Sequence, residues 1–497
     1  MKNIVTIISI LLLSNILLSQ TTGSLYIPLE IQKAYKNQTR SKDGKPGINY
    51  YQNRTDYKIR AEFFPNTNML TGNEIITYVN NSPDSLSYIY INLYQNIFKK
   101  GEARDSNFSP RNIHDGVEIS EIKINNSLID LEKTISTSTL LIIHLPSKIA
   151  PSSQSIIEVS WSQKLPVSPL YRIGTYNETN FFIGYWYPKI NVYDDIVGWN
   201  TFGFTGNAEF YSDYGNFDVE ITVPSEYLVW SSGELLNAAD ILEDSYLEKI
   251  RKASLVDEVV NIVKEKDWED NHITKIAEKH TWKLKANNLT DFAFAISNSY
   301  LWDATSIEVG NKRVTVNSVY NRNSPFFRDV VDISRKSIDY LSNTAPKIPY
   351  PYPQLTVFNC GKNGMEFPGM VNDQEENSEL GTIFITTHEI AHAYLPFMVG
   401  INEQKYGWMD EGFVGFLSII MLSDFIEDKE YSFFKEVVKK YNQQAGKLGI
   451  DLPLLIGSHN AGDFTYGFNT YVRPITAFYL LYEYLEKKGI IKVFRNL

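Results

Sequence analysis

The stretch Thr387–Phe413, THEIAHAYLPFMVGINEQKYGWMDEGF, decides how the rest of this 497-residue chain is to be read. It holds His388-Glu389-Ile-Ala-His392 and, nineteen positions past His392, Glu411 within Trp408-Met-Asp-Glu-Gly412. On an α-helix, positions i and i+4 share a face, so His388 and His392 aim two imidazoles at one point. Glu389 lies one step round from that face, close enough to touch a water on a shared ion. A loop and a second helix are enough to bring Glu411 back to the same place. Catalytic zinc takes three protein ligands, and two His with one Glu is a recurring set. The pattern predicts a hydrolytic site for one Zn2+ per chain, with His388, His392 and Glu411 as ligands. A short motif also arises by chance in a chain with seven His, and two His can share the face of a core helix. Glu411 is what shifts the balance. A three-His site of the pattern HExxHxxGxxH would need Gly at 395 and His at 398, where this chain has Leu395 and Met398.

Around that stretch, composition sets the bounds. With 43% apolar residues the chain has material for two or three cores. A formal charge of −11 and no long basic run argue against nucleic acid or an anionic membrane as partner. Residues 1–20 pair one Lys with an apolar run from Ile4 to Leu18, which is short for a spanning helix and has the layout of a secretory signal peptide. The mature chain is therefore expected outside the cytoplasm, periplasmic or extracellular, with no membrane span. A single cysteine, Cys360, forms no intrachain disulfide and ends an apolar run, so it is expected as a buried small side chain.

In order, 21–47 is polar and reads as an extended linker. Residues 48–300 alternate apolar and polar positions in short segments between Gly, Pro, Asn and Asp clusters. This predicts an antiparallel β domain of sandwich or saddle type, interrupted by a helical insert over about Glu243–Lys266. Residues 301–497 turn mixed. Strands are expected at Val314–Tyr320 and Leu355–Asn359. Helices are expected at Pro325–Leu341, Glu379–Leu395, Trp408–Asp424, Asp424–Tyr441 and Thr476–Lys488.

Three motifs in order resemble the aminopeptidase N family of zinc metallopeptidases, the gluzincins with HExxH-x18-E. One is His388, Glu389, His392 and Glu411, with eighteen residues between the last two. Another is Gly364-Met365-Glu366-Phe367-Pro368, similar to the family's G-x-M-E-N segment. The third is Tyr471-Val-Arg473-Pro, similar to its Tyr-x-Lys-Gly, sixty positions after Glu411. Asn207-Ala-Glu-Phe-Tyr211 and other stretches of the N-terminal half are similar to the family's β-domain. The resemblance implies a multidomain chain, with the β domain followed by a mixed α/β thermolysin-like zinc peptidase domain, cut short at the C-terminus. It implies peptide substrates, Glu389 as general base, and Tyr471 as hydrogen-bond donor to the tetrahedral oxyanion. It further implies Glu366 as partner of the substrate's α-ammonium, with Gly364 and Met365 holding the peptide backbone. The chain departs from the pattern at Phe367, where the family has Asn, at Asn363, where it has Gly, and at Asp410, where relatives often have Asn.

A zinc aminopeptidase is the leading expectation. A zinc endopeptidase and a non-catalytic scaffold of the same fold are the alternatives. His114, His144, His272, His280 and His459 carry no motif spacing and read as ordinary surface or core residues. Asn402-Glu403, between the ligand helices, reads as a solvated loop, with a substrate-facing role as the alternative.

Overall fold

Alternation along the strands builds the N-terminal part. In Arg54–Phe64 every second side chain, Tyr57, Ile59, Ala61 and Phe63, is buried while its neighbours are wet. The computed structural model describes residues 26–487 apart from 169, 171, 271, 361–363 and 427–431, so the signal peptide expected at 1–20 lies outside the described residues. Two compact units make up the chain: residues 1–52 with Tyr193–Gly198, and Asn53–Val192 with Trp199–Leu497.

The small unit contains a helix, Leu29–Lys36, where the sequence reads as an extended linker. Glu30 in its first turn and Lys33 and Lys36 in its last complement the helix dipole. Within the same unit the Arg40 guanidinium pairs with Asp195 at 2.7 Å, and the Tyr51 hydroxyl donates to the Asp194 carbonyl at 2.8 Å.

The large unit is mostly sheet in its N-terminal part and helical in its C-terminal part. An eight-stranded sheet runs from Glu234–Leu235 through Lys279–Leu289, Gly215–Pro224, Arg54–Phe64, Met69–Asn80, Ser153–Lys164 and Glu118–Ile124 to Ser127–Leu128. Its pairings are antiparallel except that Arg54–Phe64 runs parallel to Gly215–Pro224, a crossover that alternation alone does not reveal. Two four-stranded sheets accompany it. A buried ion pair ties this part together: the Lys189 ammonium donates to Asp291 Oδ2, Ser212 Oγ and the Thr290 carbonyl at 2.6–2.8 Å.

A six-stranded mixed sheet opens the second half, in the order Val260–Val263, Leu301–Val309, Lys312–Tyr320, Gln354–Cys360, Met370–Gln374 and Met365–Phe367. The expected insert over Glu243–Lys266 is thus only partly helical. Asp244–Ala253 forms a helix, and Val260–Val263 pairs with Leu301–Val309 instead. Val330–Asn343, Glu379–Ala391, Glu403–Phe425, Phe433–Gln444 and Arg473–Lys487 are the principal helices. Cys360 is buried, as expected. No helix among the described residues is long and apolar enough to cross a membrane.

Candidate metal centre and active site

The first ligand helix starts where Ser378 Oγ accepts the Gly381 N–H at 3.1 Å. Its middle, Thr382-Ile-Phe-Ile-Thr-Thr387, is largely β-branched and a poor helix former alone. Each threonine hydroxyl finds an acceptor. Thr386 Oγ1 donates to Asp373 Oδ2 at 2.7 Å, tying the helix to the strand Met370–Gln374. The helix closes at Ala391, which leaves His388 in the last turn and His392 on the C-cap. At φ −60° and ψ −16° His392 is still in the helical region, so the i, i+4 relation holds.

The second ligand helix is capped by Asn402 Oδ1, breaks at Tyr406 (φ −123°, ψ 42°) and restarts ahead of Glu411. A β-carbon at Gly412 would come within 2.5 Å of the Pro474 side chain, so glycine there lets the helix Arg473–Lys487 lie against this one. Pro474 has no N–H to offer the Thr470 carbonyl, and the turn before it, Phe468–Val472, is wound as a π-helix. Tyr471 is presented on that turn, its hydroxyl donating to Glu411 Oε1.

These elements converge. His388 Nε2 lies 3.1 Å from Glu411 Oε2, while His392 Nε2 lies 3.3 Å from His388 Nε2 and 3.6 Å from the same Glu411 oxygen. Ligands about 2.0–2.1 Å from a tetrahedral centre stand roughly 3.3–3.4 Å apart, so the triangle has the size of one face of a zinc tetrahedron. The donor chemistry fits as well. His392 Nδ1 faces two acceptors, Asp410 Oδ1 at 2.8 Å and the Leu395 carbonyl at 3.1 Å, so the proton sits on Nδ1 and Nε2 offers a lone pair. That lone pair meets another imidazole nitrogen and a carboxylate, which protons alone do not satisfy and a cation does. Among the described residues the other five His join no such convergent group.

Asp410 thus orients His392 from behind. Asp410→Ala should weaken zinc binding about 10–100-fold, read by competition with a chelator, whereas Asp410→Asn keeps an acceptor for the Nδ1 proton and should lose less.

Burial alone would raise the Glu411 carboxyl, but the His388 and His392 rings and the Tyr471 hydroxyl outweigh it and hold Glu411 at about 2. Glu389 goes the other way: burial, reinforced by Glu366 and Asp373, pushes its carboxyl well above the ordinary range. One Glu389 oxygen, Oε2, is buried with no hydrogen-bond partner among the described residues. A β-carbon at residue 364 would overlap the Glu389 carboxylate, so a larger residue there would push Glu389 out of its present position.

His388, Glu389, Glu411, Tyr471, Gly364, Met365 and Glu366 all line one cavity of about 610 Å³. The structure therefore brings together every expected site residue except His392, which is buried just behind as the third corner of the triangle. Phe367, at the family's Asn position, packs against Phe182 and Tyr185, with ring centroids 5.6 and 4.9 Å apart.

Three further residues stand out that the sequence did not assign. Glu209 lies in the same cavity, ion-paired to the Arg172 guanidinium, which sits over the Phe210 ring at 5.0 Å. Burial pushes the Glu209 carboxyl up to about 8 even though Arg172 opposes the shift. Glu403 is the third, and it corrects the reading of Asn402-Glu403 as solvated loop: its side chain is only 7% exposed. The sequence signal for Glu209 is its place in Asn207-Ala-Glu-Phe-Tyr211, the stretch similar to the family's β-domain.

A sheet-rich part is followed by a helical part that carries a His/His/Glu triangle able to hold a metal ion. No family model and no curated protein sequence matches the chain. Solved structures do. An M1 zinc metallopeptidase from Deinococcus radiodurans is similar with a TM-score of 0.55 at 14% identity, covering 91% of this chain and 90% of that one. A two-domain M1 zinc metallopeptidase bound to L-arginine gives 0.57 at 13%, covering 91% and 87%. The Deinococcus radiodurans enzyme bound to a Tyr-Ser-Ala substrate gives the same figures. The chain has the fold of the M1 zinc metallopeptidases, the group that the sequence motifs resemble.

Proposed function

We propose that this chain is a zinc aminopeptidase that removes N-terminal residues from peptides. The observation that carries this is the His388–His392–Glu411 triangle, with Glu389 and Glu366 beside it in one cavity. Zinc held there would supply Lewis acidity, polarising the scissile carbonyl and lowering the pKa of a water from 15.7 toward about 7. The rest falls to the chain's own side chains. Glu389 takes a proton from the attacking water on Oε2, the oxygen left without a protein partner, and passes it to the leaving amine. Tyr471 turns its hydroxyl from Glu411 to the oxyanion as charge develops there. Met365–Phe367 is the last strand of its sheet, so its free edge, with Gly364, can hold the peptide backbone by strand addition. Glu366, on that strand, pairs with the α-ammonium.

The same reading takes the N-terminal sheets as the saddle domain and the helical half as the thermolysin-like domain. It places the mature chain outside the cytoplasm, on the strength of the apolar run in 1–20.

Aminoacyl reporter substrates, free and N-acetylated, with and without a chelator, test the proposal. Free substrates should be hydrolysed, and acetylation should cost roughly ten- to a hundredfold, the worth of a hydrogen bond to a charged group. Chelation should abolish hydrolysis and added zinc restore it. Equal rates on free and blocked substrates would turn the assignment to an endopeptidase. No hydrolysis, with a zinc stoichiometry near zero, would leave a scaffold.

A further inference from the structure

We propose that Glu403 is a third carboxylate of the α-ammonium pocket, acting with Glu366 and Glu209 to hold a positively charged amino terminus. This rests on the aminopeptidase reading and deepens it.

The geometry comes first. One carboxylate oxygen each from Glu209, Glu366 and Glu403 lie within 4.8 Å of one another. An ammonium has three N–H bonds to give, and acceptors about 2.8 Å from a tetrahedral nitrogen stand roughly 4.6 Å apart. Oxygens held within that bound are close enough for one ammonium to reach all three.

The donor count points the same way. Arg172 serves Glu209. Among the described residues no hydrogen bond or ion pair reaches the carboxylates of Glu366 or Glu403, although they are only 4% and 7% exposed. Three carboxylates served by one guanidinium leave acceptor capacity that a further cation can use. Glu403 also borders a separate chamber of about 20 Å³, lined by Ser212, Thr290 and Asp291, with room for one water. The Thr290 hydroxyl, buried without a partner, is one group that such a water would satisfy. Glu403 thus stands between this chamber and the Glu209 and Glu366 carboxylates.

The test compares binding of L-phenylalaninol and of hydrocinnamyl alcohol, which lacks only the amine, to the zinc-loaded protein by calorimetry. Wild type should prefer the amine, and Glu403→Gln should lose about tenfold or more of that preference. For an aminoacyl reporter KM should rise by a similar factor while kcat stays within about threefold, the split expected when an interaction binds substrate and transition state alike. The unfolding midpoint should hold, because the substitution removes no hydrogen bond or ion pair seen among the described residues; a merely structural Glu403 would lower it. Glu403→Met gives the same readouts should the Gln variant not fold. An amine preference unchanged within about threefold in a folded variant overturns the role of Glu403 and leaves the aminopeptidase reading standing. No amine preference in wild type sinks both. A second metal ion per chain, lost in Glu403→Gln with the amine preference intact, overturns the proposal in favour of a metal site.

Discussion

Glu389→Gln should lower kcat by about 10²–10⁴ while leaving zinc content and fold as they are, the range for losing a positioned general base. The amide keeps the shape of the carboxylate, so the close contact with Gly364 survives and no cavity opens. What goes is the capacity to accept a proton at Oε2, an atom buried without any protein partner. Glu389 is not a corner of the His388–His392–Glu411 triangle, so metal analysis of the variant should still return one zinc per chain. A loss of both zinc and activity would mean that Glu389 holds the metal centre together instead of serving the chemistry.

Tyr471→Phe should cost about 10²–10³ in kcat, ~2.7–4 kcal/mol of oxyanion stabilisation, with KM little changed. The ring's packing is retained, since the helix contact at Gly412 and Pro474 that places the π-turn does not involve the hydroxyl. At rest that hydroxyl donates to Glu411 Oε1, so its removal takes away one group that helps hold Glu411 ionised, while both imidazoles remain. Zinc affinity should therefore fall far less than kcat. A variant within about threefold of wild type would remove Tyr471 from the mechanism.

Much of the site was legible because its chemistry is written at short range. An i, i+4 pair of imidazoles needs only one helical turn, and the eighteen residues between His392 and Glu411 leave room for a loop and a second helix. The strands Lys312–Tyr320 and Gln354–Cys360 and the helix Val330–Asn343 lie where periodicity puts them. What the sequence hid depends on contacts between distant segments. Glu403 looks like loop solvent because nothing near it in the chain reveals that Glu209 and Glu366 close over it. The pairing of Val260–Val263 with Leu301–Val309, and the parallel step between Arg54–Phe64 and Gly215–Pro224, are likewise choices of partner that no local pattern encodes. The π-turn at Tyr471 was half visible, in Pro474.

The cavity wall is assembled from both ends of the chain. Arg172 and Glu209 come from loops of the sheet-rich half, whereas the triangle and Glu366 come from the helical half. Under the proposed function, recognition of the amino terminus draws on both halves, Glu209 from the first and Glu366 from the second, while the metal ligands all lie in the second. Substitutions in the loops around 172–209 can therefore retune which amino termini are admitted while His388, His392 and Glu411 stay untouched.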